Sequence, residues 1–320
     1  MIFLYIFLFL FSCFLLFWSG FWLVEALVKI SKFLRWREFV VAFFVMAFAC
    51  SLPNLFVGIN SVINKVPELS FGDIVGGNVI NLTLVVGLAV LLGRGALTAE
   101  SRMVQSSTLY ATFAAILPLL LVLDGTLSRL DGAMMVVVFI VYAVWLFSKE
   151  DRFKKIYQDS KKETISDFLG FFKNSLRVVF SLAVLLLATA GIVKSSIWFS
   201  TFFQIPLPII GILIVGLGDT LPEIYFSIVS ARKGQNWMVL GDVVGSVIYT
   251  STLVLGIIAL LSPIKIVNLP PFFIARVFLI ISAFIFLLAV RTGRKVSKIE
   301  GLLFLLIYFV FVASVIFFAI

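Results

Sequence analysis

Ten long apolar runs alternate with shorter polar segments along this chain, at roughly residues 2–28, 38–63, 71–93, 104–123, 130–148, 176–196, 206–231, 237–262, 270–290 and 299–319. A helix needs about 20 apolar residues to cross the hydrocarbon core of a bilayer, and a barrel strand only about ten. The pattern therefore predicts an all-α membrane protein with ten transmembrane helices. Two of the runs are broken by residues that do not belong in hydrocarbon. "ACSLPNLFVG", Ala49 to Gly58, carries a proline and an amide. "GDTLPEIYFS", Gly218 to Ser227, carries a proline and two acids.

These two interruptions are copies of one another. With Pro53 set on Pro222, an offset of 169, Ser51 meets Thr220, Leu52 meets Leu221 and Asn54 meets Glu223. The same offset carries on without a gap. Gly72-Asp73 meets Gly241-Asp242, Gly76 meets Gly245, Asn81 meets Thr250 and Gly87 meets Gly256. "FGDIVGGNVINLTLVVGL" and "LGDVVGSVIYTSTLVLGI" are one motif written twice. Each copy has five spans, an odd number, so the second enters the membrane from the opposite side. The expectation is two inverted-topology five-helix repeats, residues 1–148 and 176–320, joined by a linker at 149–175. In that architecture Gly/Pro-interrupted helices meet near the midplane and build the binding site.

Charge adds the orientation. Basic residues gather in the odd-numbered loops: Lys29 to Arg37, Arg94 and Arg102, Lys149 to Arg177, Arg232 and Lys233, and Arg291 to Lys298. The exceptions among the 25 Lys and Arg are Lys65, Arg129, Lys194, Lys265 and Arg276. The positive-inside rule makes the odd loops cytoplasmic and puts both termini outside. The net charge of +9 thus mainly records topology and gives no reason to expect a nucleic-acid partner. "SKEDRFKKIYQDSKKETISDF", Ser148 to Phe168, mixes both signs and reads as a cytoplasmic linker too short for a domain.

Composition agrees with a membrane protein. The chain is 62% hydrophobic and 13% charged, where about 25% charged is ordinary for a soluble domain. The first run has no basic flank before it, and reads as a transmembrane helix rather than a cleaved signal. The two cysteines, Cys13 and Cys50, sit in apolar runs, which argues against a disulfide framework. Histidine is absent, and with it the usual neutral-pH proton carrier. No nucleophile–base pair or cofactor motif is present, so neither an enzyme nor a resident cofactor is expected.

The candidate chemistry is cation binding. Asp219 and Glu223 are four apart and would share one face of a continuous helix, and they are the expected metal-binding carboxylates. Thr220 lies beside them, and Pro222 lacks the N–H that would close the helical ladder near residue 218. Ser51 and Asn54, with carbonyls near Cys50, form the first-copy counterpart. Asn81, Ser246 and Thr250 project from the partner helices. Carboxylate, hydroxyl and carbonyl oxygens are ligands for hard cations. A carboxylate alone at membrane depth costs several kcal/mol, which a bound cation removes. Asp73 and Asp242 are secondary candidates, read as opening their helices, where capping competes with a vestibule role. Cys50 is a third. Glu25 is expected to pair with Lys29 one turn on.

At these residues the chain resembles the cation/Ca²⁺ antiporter superfamily, in particular its prokaryotic Na⁺/Ca²⁺ exchangers. Those proteins carry G-T-S-L-P-E followed by G-N-x-x-G-S in each of two inverted repeats. Here the motifs stand as "ACSLPN" with "GDIVGG" and "GDTLPE" with "GDVVGS". The resemblance implies ion ligands at Ser51, Asn54, Asn81, Thr220, Glu223, Ser246 and Thr250, with backbone oxygens near Ala47 and Gly216. It also implies a prokaryotic plasma-membrane protein whose partners are the lipid bilayer and small cations. The departures are specific. Asn54 replaces the first-repeat glutamate, Asp219 replaces a threonine, and Asp73 and Asp242 replace asparagines. The function expected is secondary antiport, Ca²⁺ against Na⁺ or H⁺. A monovalent cation/H⁺ exchanger, another divalent-metal carrier and a transport-inactive scaffold are the alternatives.

Overall fold

Helix starts and breaks in the protein follow local chemistry. A computed structural model describes residues 2–33, 47–99, 102–148, 165–266 and 270–319. The helices are α1 (Ile2–Phe33), α2 (Ala47–Ile63), α3 (Pro67–Leu92), α4 (Arg102–Leu121), α5 (Arg129–Ser148), α6 (Ile165–Phe203), α7 (Leu207–Asp219), α8 (Leu221–Arg232), α9 (Asn236–Leu261), α10 (Pro270–Thr292) and α11 (Lys298–Ala319). Proline occupies the first turn of α3, α7 and α8, where the missing N–H costs nothing. α5 and α11 each open on a capping box. Ser128 donates to Asp131 through its backbone N (2.8 Å) and hydroxyl (2.6 Å), and Ser297 does the same to Glu300 (2.6 and 2.7 Å).

Eight helices among the described residues are long and apolar enough to cross a membrane, or nine if α7 and α8 count as one broken span. Of the second predicted span, Ala47–Ile63 is described and the preceding residues lie outside the described set. Two spans are longer than their hydropathy suggests. α1 runs on to Phe33, with Lys29 paired to Glu25 as expected. α6 starts at Ile165, so the last part of the expected 149–175 linker is helix, while residues 149–164 lie outside the described set.

α3 and α9 are the central helices, each 83% buried along its most apolar window, against 17% for α1 and 28% for α11. The outer helices turn large apolar side chains such as Phe3, Phe7, Phe309 and Phe317 outward, the expected face toward lipid. α1 and α6 run antiparallel as an outer pair. Tyr5 stacks on Trp198 at 4.6 Å near one end, and Phe33 meets Phe171 at 5.0 Å near the other.

Small residues let the inner helices touch backbone to backbone. A Cβ on Gly76 would stand 2.2 Å from the Ile212 carbonyl oxygen, and one on Gly72 the same distance from that of Pro208. α3 and α7 therefore pack in parallel at glycine distance. Likewise Gly87 of α3 faces Gly301 of α11, and Gly256 of α9 faces Gly132 of α5. Gly76→Ala is expected to force α3 off α7 and cost about 1–3 kcal/mol, the usual range for overpacking. Thermal unfolding in detergent checks this, with Gly170→Ala as control, since nothing lies within 4 Å of a Cβ there.

Two short antiparallel ladders tie the loops. Leu97–Thr98 (β1) pairs with Lys295–Val296 (β4), and Thr126–Leu127 (β2) pairs with Ile264–Lys265 (β3). They sit at opposite ends of α4, which at 20 residues is about 30 Å long.

Candidate cation site

The centre of the helix bundle is polar. It lies where α2, α3, α7, α8 and α9 meet, and every acid in it is sealed from solvent. Asp73, Asp219 and Asp242 are 0% exposed and Glu223 is 1% exposed. Among the described residues none of the four forms an ion pair. Among the described residues, both carboxylate oxygens of Asp73, Glu223 and Asp242, and Oδ1 of Asp219, lack a hydrogen-bond partner.

The break at Pro222 decides how these acids face one another. α7 ends at Asp219 and α8 begins at Leu221, with a 42° bend between them. The Thr220 hydroxyl caps the junction by donating to the Gly216 carbonyl at 2.7 Å. Asp219 and Glu223 therefore lie on different helices, and the shared face of a continuous helix does not apply. Instead Asp219 sits against Asp73 of α3 and accepts a hydrogen bond from Asn54 Nδ2 of α2 at 2.5 Å. Glu223 interacts most strongly with Asp242 of α9, which in turn lies beside the Cys50 thiol. No three Asp, Glu or Cys side chains converge on one point among the described residues. The four acids form one linked cluster, with Glu223 interacting with Asp219 and Asp73 as well as with Asp242.

Asp73 and Asp242 correct an expectation. They do not open their helices. α3 begins at Pro67 and α9 at Asn236, so each acid lies about two turns in, beyond the reach of capping. The apolar run that predicts α3 starts late, at about residue 71, because the first turn carries polar residues, whereas the run that predicts α9 starts within a residue of Asn236 and already holds Asp242 inside the helix.

The neutral polar residues form the other wall. Ser51 donates to Ser246 at 2.9 Å and so links α2 to α9. Thr250 donates to the Asn78 Oδ1 at 2.9 Å and to the Ser246 carbonyl at 2.8 Å, while Asn78 Nδ2 donates to Ser251 at 2.8 Å. Asn78 was missed in the sequence. Its available signal was a second amide in the same apolar run, three before Asn81. Asn81 is buried with its Oδ1 unpartnered, at the first residue of a π-helical turn, Asn81–Val85. A second such turn, Tyr249–Val254, carries Thr250. π-turns leave backbone carbonyls out of the regular ladder and often mark functional sites. Pro53, unlike Pro222, leaves its helix unbroken, since α2 runs on from Ala47 to Ile63. Cys13 and Cys50 are both buried and free.

The profile of the family described as sodium/calcium exchanger protein matches residues 4–148 and 174–317. The chain belongs to that family. It is therefore an integral membrane protein of the cation/Ca²⁺ antiporter superfamily. Sodium/calcium exchanger MaX1 of Methanosarcina acetivorans is 26% identical over 323 residues, covering 90% of this chain and 91% of its own. An uncharacterized membrane protein of Methanocaldococcus jannaschii is 26% identical over 315 residues, covering 96% of both chains. A solved structure of the sodium-calcium exchanger NCX_Mj superposes with a TM-score of 0.70 at 23% identity, over 98% of this chain and 99% of that one. This likeness shows a shared fold. The break in the family profile, residues 149–173, falls on the polar segment between spans five and six.

Proposed function

We propose that this exchanger-family protein is a secondary antiporter that moves Ca²⁺ against Na⁺ or H⁺ through the central carboxylate site by alternating access. The observation that carries the reading is the set of sealed acids without basic partners. Burying an unpaired carboxylate costs several kcal/mol, so the site is stable only when cations or protons share it. Two carboxylates neutralise one Ca²⁺, and the same two hold two monovalent ions instead. Competition for one site, with access from alternate sides, then gives exchange. Glu223 is the principal ligand in this reading. Asp219, Thr220, Ser51, Asn54, Asn81, Ser246 and Thr250 line the same pocket. Flux of ⁴⁵Ca²⁺ in proteoliposomes under separate Na⁺ and pH gradients tests it. Uptake driven by neither gradient ends the antiport reading, and uptake driven by one names the counter-ion.

The architecture proposed is two inverted five-helix repeats, residues 1–148 and 176–320. Several contacts support it by recurring at the offset of 169. Thr83 donates to the Val79 carbonyl and Thr252 to that of Ile248, each from within a π-helical turn. The Gly87–Gly301 contact maps onto Gly256–Gly132, and the capping box at Ser128 onto that at Ser297. The β1–β4 ladder is likewise matched by the β2–β3 ladder, with a two-residue slip between β1 and β3. α1 and α6, equivalent in this scheme, run antiparallel as an inversion requires. The proposed orientation has both termini outside and the linker inside. Single cysteines introduced at Lys155 and at the C-terminus are expected to react with impermeant reagent from opposite sides. Reaction from the same side overturns the inversion.

A further inference from the structure

We propose that Arg276 of α10 seats the phosphate group of an anionic phospholipid, at the end of the bundle where that helix begins. An arginine inside a membrane span is costly unless its charge is answered, so an unanswered one marks a functional position. α10 starts at Pro270 and is long and apolar enough to cross the membrane. Arg276 is six residues past Pro270, about 9 Å along the axis. No acid occurs between Pro270 and Thr292, and among the described residues Arg276 forms no ion pair.

Its guanidinium sits over the Phe272 ring, 4.5 Å from the centroid, and Nε and Nη2 are buried without a hydrogen-bond partner among the described residues. A cation–π contact answers part of the charge but none of those N–H groups. The internal duplication shows what is missing. At the offset of 169 Arg276 corresponds to Ser107, which accepts a hydrogen bond from the Tyr142 hydroxyl at 3.3 Å. Tyr142 corresponds to Phe311, which has no polar atom to offer. The surroundings fit an amphiphile. Arg276 lies where two faces of α10 meet, with Phe272, Leu279 and Phe286 buried on one side and Phe273, Phe284 and Leu288 exposed on the other. The long side chain can turn its head toward the membrane surface while an acyl chain lies along the exposed side. In that turn Nε and Nη2 exchange an unbonded position in the bundle for phosphate oxygens, which match the guanidinium fork in charge and geometry. Phe272 in turn meets Phe71 of the central helix α3 at 5.2 Å, so a lipid held at Arg276 braces the core of the bundle.

The test is native mass spectrometry of the full-length, delipidated protein in detergent, titrated with dioleoyl-phosphatidylglycerol, together with thermal unfolding in the same mixtures. Wild type is expected to hold one phosphatidylglycerol more tightly than dioleoylglycerol, which lacks the phosphate, and to be stabilised by it. Arg276→Gln is expected to weaken that lipid roughly tenfold or more, the loss of one charged hydrogen-bonded pair, and to lose the stabilisation. Arg276→Lys is expected to keep part of both, and Lys194→Gln, at an exposed position of α6, to keep all. An arginine that only packs on Phe272 would lower the unfolding temperature equally with and without lipid when replaced, and that result overturns the proposal. Phosphatidylglycerol held by Arg276→Gln as tightly as by wild type also overturns it. Sodium phosphate that stabilises wild type as much as the lipid does, and not Arg276→Gln, makes free phosphate the ligand and overturns the lipid. If Arg276→Gln fails to fold, Arg276→Lys and the wild-type comparison decide, and equal binding of phosphatidylglycerol and dioleoylglycerol overturns the proposal.

Discussion

Glu223→Gln is expected to abolish ion-coupled flux while the protein still folds. The substitution keeps the shape of the side chain and removes its charge. Glu223 is 1% exposed, lies in the first turn of α8 immediately after Pro222, and has both oxygens unpartnered. Nothing in the fold depends on its charge, because no basic group is paired with it. Removing a buried unpaired charge is neutral or stabilising for folding. For the cation the loss is large, since a single charge pair at about 4 Å with an effective dielectric near 20 is worth roughly 4 kcal/mol. That is close to a thousandfold in affinity, enough to silence exchange at ordinary ion concentrations. Proteoliposome flux and thermal unfolding, measured on the same preparation, separate the two effects. Wild-type exchange in the variant would refute Glu223 as the principal ligand.

Asp219→Thr is expected to cripple divalent binding, and Asn54→Glu on that background to restore part of it. The structure supplies the reason, for Asn54 and Asp219 are hydrogen-bonded to each other at 2.5 Å, so a carboxylate at either position occupies nearly the same place. Asp73 stands opposite both. The single variant Asn54→Glu, with Asp219 still present, is expected to bind worse than the double variant, because it crowds a third carboxylate against Asp73 and Asp219. Titration of wild type, both single variants and the double variant gives the coupling directly. Strictly additive effects would mean that the charge at 219 does not stand in for one at 54. The proton-coupled reading would then gain over the sodium-coupled one.

Much of this was legible in the chain because hydrocarbon is an unforgiving solvent. A membrane span must be apolar for about 20 residues, so its existence shows in the sequence whatever it packs against. Each polar residue inside a span is costly and stands out, which is how Ser51, Asn54, Asn81, Asp219, Thr220, Glu223, Ser246 and Thr250 were selected. Span ends were less legible. α1 and α6 extend past their apolar runs, since a helix that has left the membrane has no need to be apolar. Asp73 was displaced for a related reason. A hydropathy boundary marks where polar residues stop, and Pro67 to Gly72 carries enough of them to hide the true start of α3.

By itself, the sequence determined the all-helical membrane class, the internal duplication and the list of buried oxygen-bearing side chains. These depend on residue type and spacing alone. The tertiary structure decided which of them meet. Helical spacing joined Asp219 to Glu223 on one face, but proline breaks the helix between them, and a 42° bend sets them on different helices, where Asp219 meets Asp73 and Asn54, and Glu223 meets Asp242. Asn78 entered the site because α3 and α9 cross there, bringing it to Thr250 and Ser251 across more than 170 residues of chain. Glycines set how closely those inner helices approach, at distances no side chain would permit. Contacts of that kind are made between segments remote in the chain, and no local pattern records them.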